Sequence, residues 1–246
     1  MSISFLLKES YRVAKENPLI FVPLLAASVI GILLSLIFVG TALPFAAMAA
    51  TDPQQITTGE ALTGLGAAIG AVFFTTLVSG IIGLFAHAMT VAMADQALKG
   101  EKADLKDALI RTRVRIIPVA IAVVLVSVLV GLASLLLVLP GVILSFFLIF
   151  TLVSVMTDHT NAFQAIKKSM KTVAGHIVPV FIFFLIVLGL GLVTGLIGGV
   201  VGVIPILGVF LTMIVGGAYT GYVTILLVAL YRTLPGQGEG SVDAEV

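Results

Sequence analysis

Four stretches of this chain, residues 18–51, 61–94, 116–157 and 176–231, contain no Asp, Glu, Lys or Arg. Each is longer than the ~20 residues that one helical crossing of a bilayer requires. A water-soluble helix keeps a charged or polar face toward solvent, and these segments have none to offer. Lipid must therefore be the main solvent of the fold. The composition agrees, with 60% apolar residues, 10% charged residues and a mean hydropathy of +1.25. There is no cysteine, which excludes disulfides, thiolate metal sites and cysteine nucleophiles.

The runs are too long to be single spans, and the punctuation inside them predicts where they divide. Leu139-Pro140-Gly141 removes a backbone donor and permits a tight turn, which predicts helices near 116–137 and 142–157. Gly198, Gly199, Gly202, Pro205 and Gly208 divide the last run into helices near 177–198 and 208–231. With one helix in each of the first two runs, six crossings result. Ala46, Ala47, Ala49 and Ala50 resemble a small-residue cleavage site. The preceding apolar region is far too long for a signal peptide, however, and its charged flank carries Glu9 and Glu16, so it reads as the first span.

Thirteen Lys and Arg residues set the orientation. Six crossings put every one of them on the same side: Lys8, Arg12 and Lys15; Lys99, Lys102, Lys106, Arg111, Arg113 and Arg115; Lys167, Lys168 and Lys171; and Arg232. The alternate loops, around residues 52–60, Pro140 and Pro205, carry none. Basic loops mark the cytoplasmic face, so both termini are expected inside a multi-pass protein of the cell membrane.

The charged segments themselves have helical periodicity. Leu6, Ser10, Val13 and Ala14 form one stripe, Leu105, Ala108, Leu109, Thr112 and Ile116 a second, and Phe163, Ile166, Met170 and Val173 a third. Each predicts an amphipathic helix on the cytoplasmic surface, followed by a proline (Pro18, Pro118 or Pro179) and a transmembrane hairpin. Asn161 with Gln164 three positions on predicts the start of the third. The expected fold is thus all-α, a single transmembrane domain over residues 1–232. It has three units (1–98, 99–157 and 158–232) of surface helix plus hairpin, and residues 233–246 form a disordered cytoplasmic tail.

Glycines at small-xxx-small spacing predict close helix packing at Gly66 and Gly70, at Gly191, Gly195 and Gly199, and at Gly217 and Gly221. Between the helix ends only His87 can titrate. Asp95, Asp158, His159 and His176 fall at predicted inner ends and form, with His87, a candidate polar cluster. Two histidines and a carboxylate suit a divalent metal, but no metal-ligand spacing is present, so no metal or cofactor is assigned. Asp95 can pair with Lys99 one turn later.

No phosphate-binding glycine loop and no nucleophile elbow occurs, and the loops cannot hold a catalytic domain. The expected function is accordingly non-enzymatic: a scaffold, an accessory subunit or a lipid-organising element. A permease for small apolar or lipid-like solutes, moving at a glycine-broken fifth helix, is the alternative. The expected partners are the bilayer and other membrane proteins rather than nucleic acid. Anionic lipid headgroups would meet Lys102, Lys106, Arg111, Arg113, Arg115, Lys167, Lys168 and Lys171, each worth about 1 kcal/mol near the surface.

One run of residues has a family look. Leu139-Pro140-Gly141-Val142, then Phe146, Phe147 and Phe150, then Asp158, then Ala165-Ile166-Lys167-Lys168-Ser169-Met170 resembles a signature of uncharacterised prokaryotic six-helix membrane families. These include the membrane domain attached to glycerophosphodiester phosphodiesterases. The match covers the second half of the chain. No phosphodiesterase domain accompanies it in these 246 residues, so the resemblance implies fold and lipid association and no hydrolase chemistry.

Overall fold

The computed structural model describes residues 3–51, 58–204 and 207–234. The expected tail beyond Leu234, the loop residues 52–57 and the turn at Pro205 lie outside the described residues. Among the described residues the fold is all-helical: α1 (Ile3–Glu16), a 3-10 turn (Pro18–Phe21), α2 (Val22–Thr51), α3 (Thr58–Leu98), α4 (Leu105–Leu136), α5 (Val138–Phe147), α6 (Thr151–Thr157), α7 (Ala162–Gly175), α8 (Ile177–Val201) and α9 (Leu207–Thr233). Among the described residues six segments are long and apolar enough to cross a membrane: Pro18–Leu36, Ile69–Leu98, Leu105–Leu136, Val138–Thr157, Ile177–Val201 and Leu207–Thr233. The chain is a multi-pass membrane protein.

The break between the third and fourth spans falls at Leu137, whose backbone is extended. That is three residues before the proline expected to make it. Pro140 instead occupies the first turn of α5, where its missing N–H would have had no partner in any case. Gly141 is the residue that lets the two spans meet. A Cβ built there would collide with the Ser134 hydroxyl and lie 2.9 Å from Ser134 Cβ and 3.0 Å from its Cα.

The fourth span is also divided, which the sequence reading of a single helix over 142–157 did not anticipate. Between α5 and α6 the ladder is interrupted, and the Ser169 hydroxyl of α7 mends it. It donates to the Phe147 carbonyl at 2.8 Å and accepts from the Phe150 N–H at 3.1 Å, with Ser169 fully buried. A buried N–H without a partner costs roughly 1–3 kcal/mol, so Ser169→Ala should destabilise the protein by about 1 to 2 kcal/mol. Thermal unfolding in mild detergent measures this, and an unchanged midpoint would show that the mend contributes nothing.

Two further expectations need correcting. The second surface helix does not exist as a separate element, because α4 runs continuously through Pro118. One lost backbone bond is tolerated where the rest of the ladder has no water to compete with it. For the same reason α8 continues unbroken through Gly191, Gly195, Gly198 and Gly199, so the fifth helix is not broken by its glycines.

The buried side of α7 is offset from the expected stripe. Ala162, Ala165, Ser169, Thr172 and Val173 are buried, while Phe163 and Met170 are 68% and 42% exposed. Small residues allow close backbone approach, and in lipid a large apolar side chain gains nothing by turning inward. The predicted N-cap is present, with Asn161 Oδ1 accepting from the Gln164 N–H at 2.9 Å.

The chain divides into two compact units. One comprises residues up to Leu24 together with those from Leu84 onward; the other comprises Leu25–Gly83. The second carries exposed Leu33, Leu36, Phe73 and Phe74, as lipid-facing helix surfaces do. In the first, the core gathers around Met93, Phe150, Val153, Ile225 and Tyr231, near the helix ends that carry the basic residues. Leu135, Leu136, Leu192, Leu196 and Val200, along the spans, are instead widely exposed. Helices α1 and α9 meet in this unit: Tyr222 of α9 reaches the Leu7 carbonyl of α1 at 3.5 Å, and the Phe21 ring fills the notch left by Gly221.

Candidate functional site

Consecutive residues of an α-helix point about 100° apart, so a pair at a helix end can hold two different neighbours. Tyr231 and Arg232, in the last turn of α9, do so with the two buried carboxylates. Arg232 brings both Nε and Nη2 to Asp95 Oδ1, at 2.8 and 2.7 Å, and Lys99 takes Oδ2 at 2.8 Å. The pairing of Asp95 with Lys99 was expected; the guanidinium, 137 positions away in sequence, was not.

The Tyr231 hydroxyl donates to Asp158 Oδ2, which also receives Lys168 Nζ at 2.8 Å. The same ammonium lies 5.9 Å from the centroid of the Tyr231 ring, a cation–π distance, and Phe150 packs on that ring at 5.2 Å. Thr157 Oγ1, which donates to the Val153 carbonyl at 2.8 Å, lies 3.3 Å from Asp158 Oδ1. The side chains of Asp95 and Asp158 are 6% and 9% exposed. Charges taken this far from water persist only when paired, and both are.

The histidines do not join them. His176 Nδ1 lies 3.1 Å from the Thr172 carbonyl of its own helix. His87 is half-buried, and among the described residues no hydrogen bond or ion pair links it to Asp95. His159 is exposed and adopts a left-handed backbone, φ 56°, just past the end of α6, where glycine or asparagine is the usual helix stop. Arg115 Nη1 donates to its carbonyl at 2.7 Å and holds the turn. Partial burial, then the positive charges of Arg115, Lys99 and Arg111, lower the His159 pKa against the opposing pull of Asp158. The imidazole is thereby biased toward its neutral form. Of the five residues, Asp95 and Asp158 hold two ion-pair networks, His159 lies within electrostatic reach of Asp158 and Lys99, and among the described residues no ion pair ties His87 or His176 to either carboxylate. Among the described residues no three His, Asp or Glu side chains come close enough to hold a metal.

Two polar residues that sequence reasoning passed over fix the turn between α3 and α4. Gln96 is buried, donates to Asp107 and accepts from the Asp104 N–H at 3.3 Å. Asn17 accepts from the Ala103 N–H at 3.2 Å. Gly100 takes the left-handed conformation that closes α3, with Glu101 N–H on the Gln96 carbonyl and Gly100 N–H on that of Ala97. The one signal available was that Gln96 sits beside Asp95 at the end of a long apolar run.

The basic residues divide in a similar way. Arg111 pairs with Asp107 at 2.8 Å, Arg115 holds His159 and Lys168 holds Asp158, so three of the eight proposed headgroup contacts are engaged inside the protein. Lys102, Lys106, Arg113, Lys167 and Lys171 are exposed and, among the described residues, in no ion pair. The proposed packing glycines divide too. Gly191 receives the Tyr219 hydroxyl, 3.0 Å from an added Cβ, and Gly221 the Phe21 ring, and Gly217 is buried. Among the described residues nothing lies within 4 Å of a Cβ at Gly66, Gly70, Gly195 or Gly199.

Comparison with known proteins gives a family without an assigned activity. No curated protein and no solved structure matches the chain. Residues 1–234 match the model of a domain of unknown function, DUF7847, and the chain belongs to that family.

Proposed function

We propose that this is a non-enzymatic protein of the cell membrane, acting as a scaffold, an accessory subunit or a lipid-organising element. Its six spans form three hairpins within one transmembrane domain, with the basic ends and both termini in the cytoplasm. The observation that carries this reading is the structural pairing of Asp95 and Asp158: Asp95 is held by Arg232 and Lys99, and Asp158 by Lys168 and Tyr231, so that the buried carboxylates tie helix ends together.

The outward faces of the short helices support the membrane-surface part of the proposal. On α1, Phe5 and Tyr11 are exposed beside Lys8, Arg12 and Lys15; on α7, Phe163 and Met170 are exposed beside Lys167 and Lys171. Large apolar side chains interleaved with basic ones suit a helix lying at the boundary between headgroups and acyl chains. The resemblance to membrane domains found with phosphodiesterases fits this lipid setting and adds no chemistry to it.

Purification from native membranes in mild detergent, followed by lipid and protein analysis, tests the reading. Enrichment of anionic lipid over the bulk membrane, or a stoichiometric protein partner, is expected. Recovery of neither would remove it.

A further inference from the structure

A cleft of about 450 Å³ opens where α1 lies against the ends of α3 and α9. It is lined by Phe5, Leu6, Glu9, Arg12, Leu98, Ala229, Arg232 and Thr233. We propose that it binds one anionic phospholipid per chain, with the phosphate between the Arg12 and Arg232 guanidinium groups and the upper acyl chain along Phe5 and Leu98. The inference rests on the membrane reading above and adds to it a single saturable site.

Three observations carry it. Leu98 and Thr233 are the last residues of two spans, which puts the cleft where hydrocarbon gives way to headgroups. Its lining is divided accordingly. Leu6 and Ala229 are buried in its floor and Phe5 is 54% exposed, whereas Glu9, Arg12, Arg232 and Thr233 supply the polar side. Among the described residues the charge is also unbalanced: Arg12 and Arg232 line the cleft, Lys99 shares Asp95 with Arg232, and these three cations are paired with two carboxylates, Glu9 and Asp95.

Spare donors are available for a phosphate. A guanidinium has five N–H groups in a planar fork, a geometry suited to phosphate oxygens. Arg232 commits Nε and Nη2 to Asp95, and that contact fixes the plane of the group and leaves Nη1. Arg12 meets Glu9 through Nη2 alone, with its side chain 61% exposed. A free phosphate would satisfy the donors but gain nothing from Phe5, Leu6 and Leu98. A zwitterionic lipid would bring its own cation into a cleft already in excess of positive charge.

Native mass spectrometry and fluorescence titration of the full chain test the site, using phosphatidylglycerol, phosphatidylcholine of the same chains, and glycerol 3-phosphate. One phosphatidylglycerol per chain is expected, bound at least tenfold more tightly than phosphatidylcholine, with glycerol 3-phosphate failing to displace it at equal concentration. Arg12→Ala should weaken binding at least fivefold. Thr233→Trp, which fills an exposed edge of the cleft without touching an ion pair, should do the same. Unchanged affinity in both variants overturns the proposal, as does full displacement by glycerol 3-phosphate, which would indicate a soluble anion site. Anionic lipid enriched without a saturable component removes the cleft site and leaves the broader reading standing; no anionic preference and no partner removes both.

Discussion

Replacing Asp95 by alanine should cost about 2 to 3 kcal/mol of stability, because it leaves the Arg232 guanidinium in a mostly buried setting without its partner. Removal of one member of a buried pair typically costs more than that. Here Arg232 and Lys99 are 28% and 41% exposed, and water recovers part of the loss. Asp95→Asn keeps the shape and one acceptor and should cost about half as much, by the weaker hydrogen bond of a neutral acceptor. Adding Arg232→Ala to Asp95→Ala should bring little further loss, since the second change removes the group the first left stranded. Unfolding in detergent, followed by tryptophan-free probes such as circular dichroism, gives the cycle. Independent, additive losses would mean that the two residues do not act as a pair.

Substitution of Gly141 by valine should be comparably damaging, by about 2 to 3 kcal/mol, through overpacking of α4 against α5. Even the first added carbon meets Ser134, at 2.9 Å from its Cβ and 3.0 Å from its Cα. Gly141→Ala should therefore cost less than valine but more than an alanine at the unencumbered Gly131. Removing the opposing side chain tests the cause. Ser134→Gly combined with Gly141→Ala should recover most of the loss, as the collision is largely with the serine hydroxyl and Cβ. A failure to recover would place the strain in the backbone instead.

The two predictions also mark what hydropathy could and could not reveal. All six spans follow from the uncharged runs, because lipid enforces helices of a minimum length. The division between the third and fourth was anticipated to within a few residues, yet attributed to Pro140 when Leu137 is the residue that turns and Gly141 the one that permits contact. Asp95 and Asp158 were recognisable as the acidic residues at helix ends. Their partners Tyr231 and Arg232 were not, since the rotation of α9 against two distant helix ends has no local signature. On α7 the apolar stripe read from the sequence mixes two sides of the helix, since Phe163 and Met170 are exposed while Val173 is buried. In lipid, size and hydrogen bonding decide what is buried, which is why Ala165 and Ser169 are inside. Ser169 mends a helix break that only the fold creates.

The meeting of α1 with α9 has a consequence for biogenesis. Leu7 and Tyr222 are 215 positions apart, so α1 must wait for α9, which is made later. Until then the inward face of α1, with Leu6, Ser10 and Val13, lacks the cover that α9 provides. At a synthesis rate of about 5–20 residues per second, that wait is on the order of ten seconds or more. A chain stalled before α9 would expose this face and the apolar sides of Ile225 and Val228's missing partners, a recognisable mark of incompleteness for the quality-control proteases of the membrane.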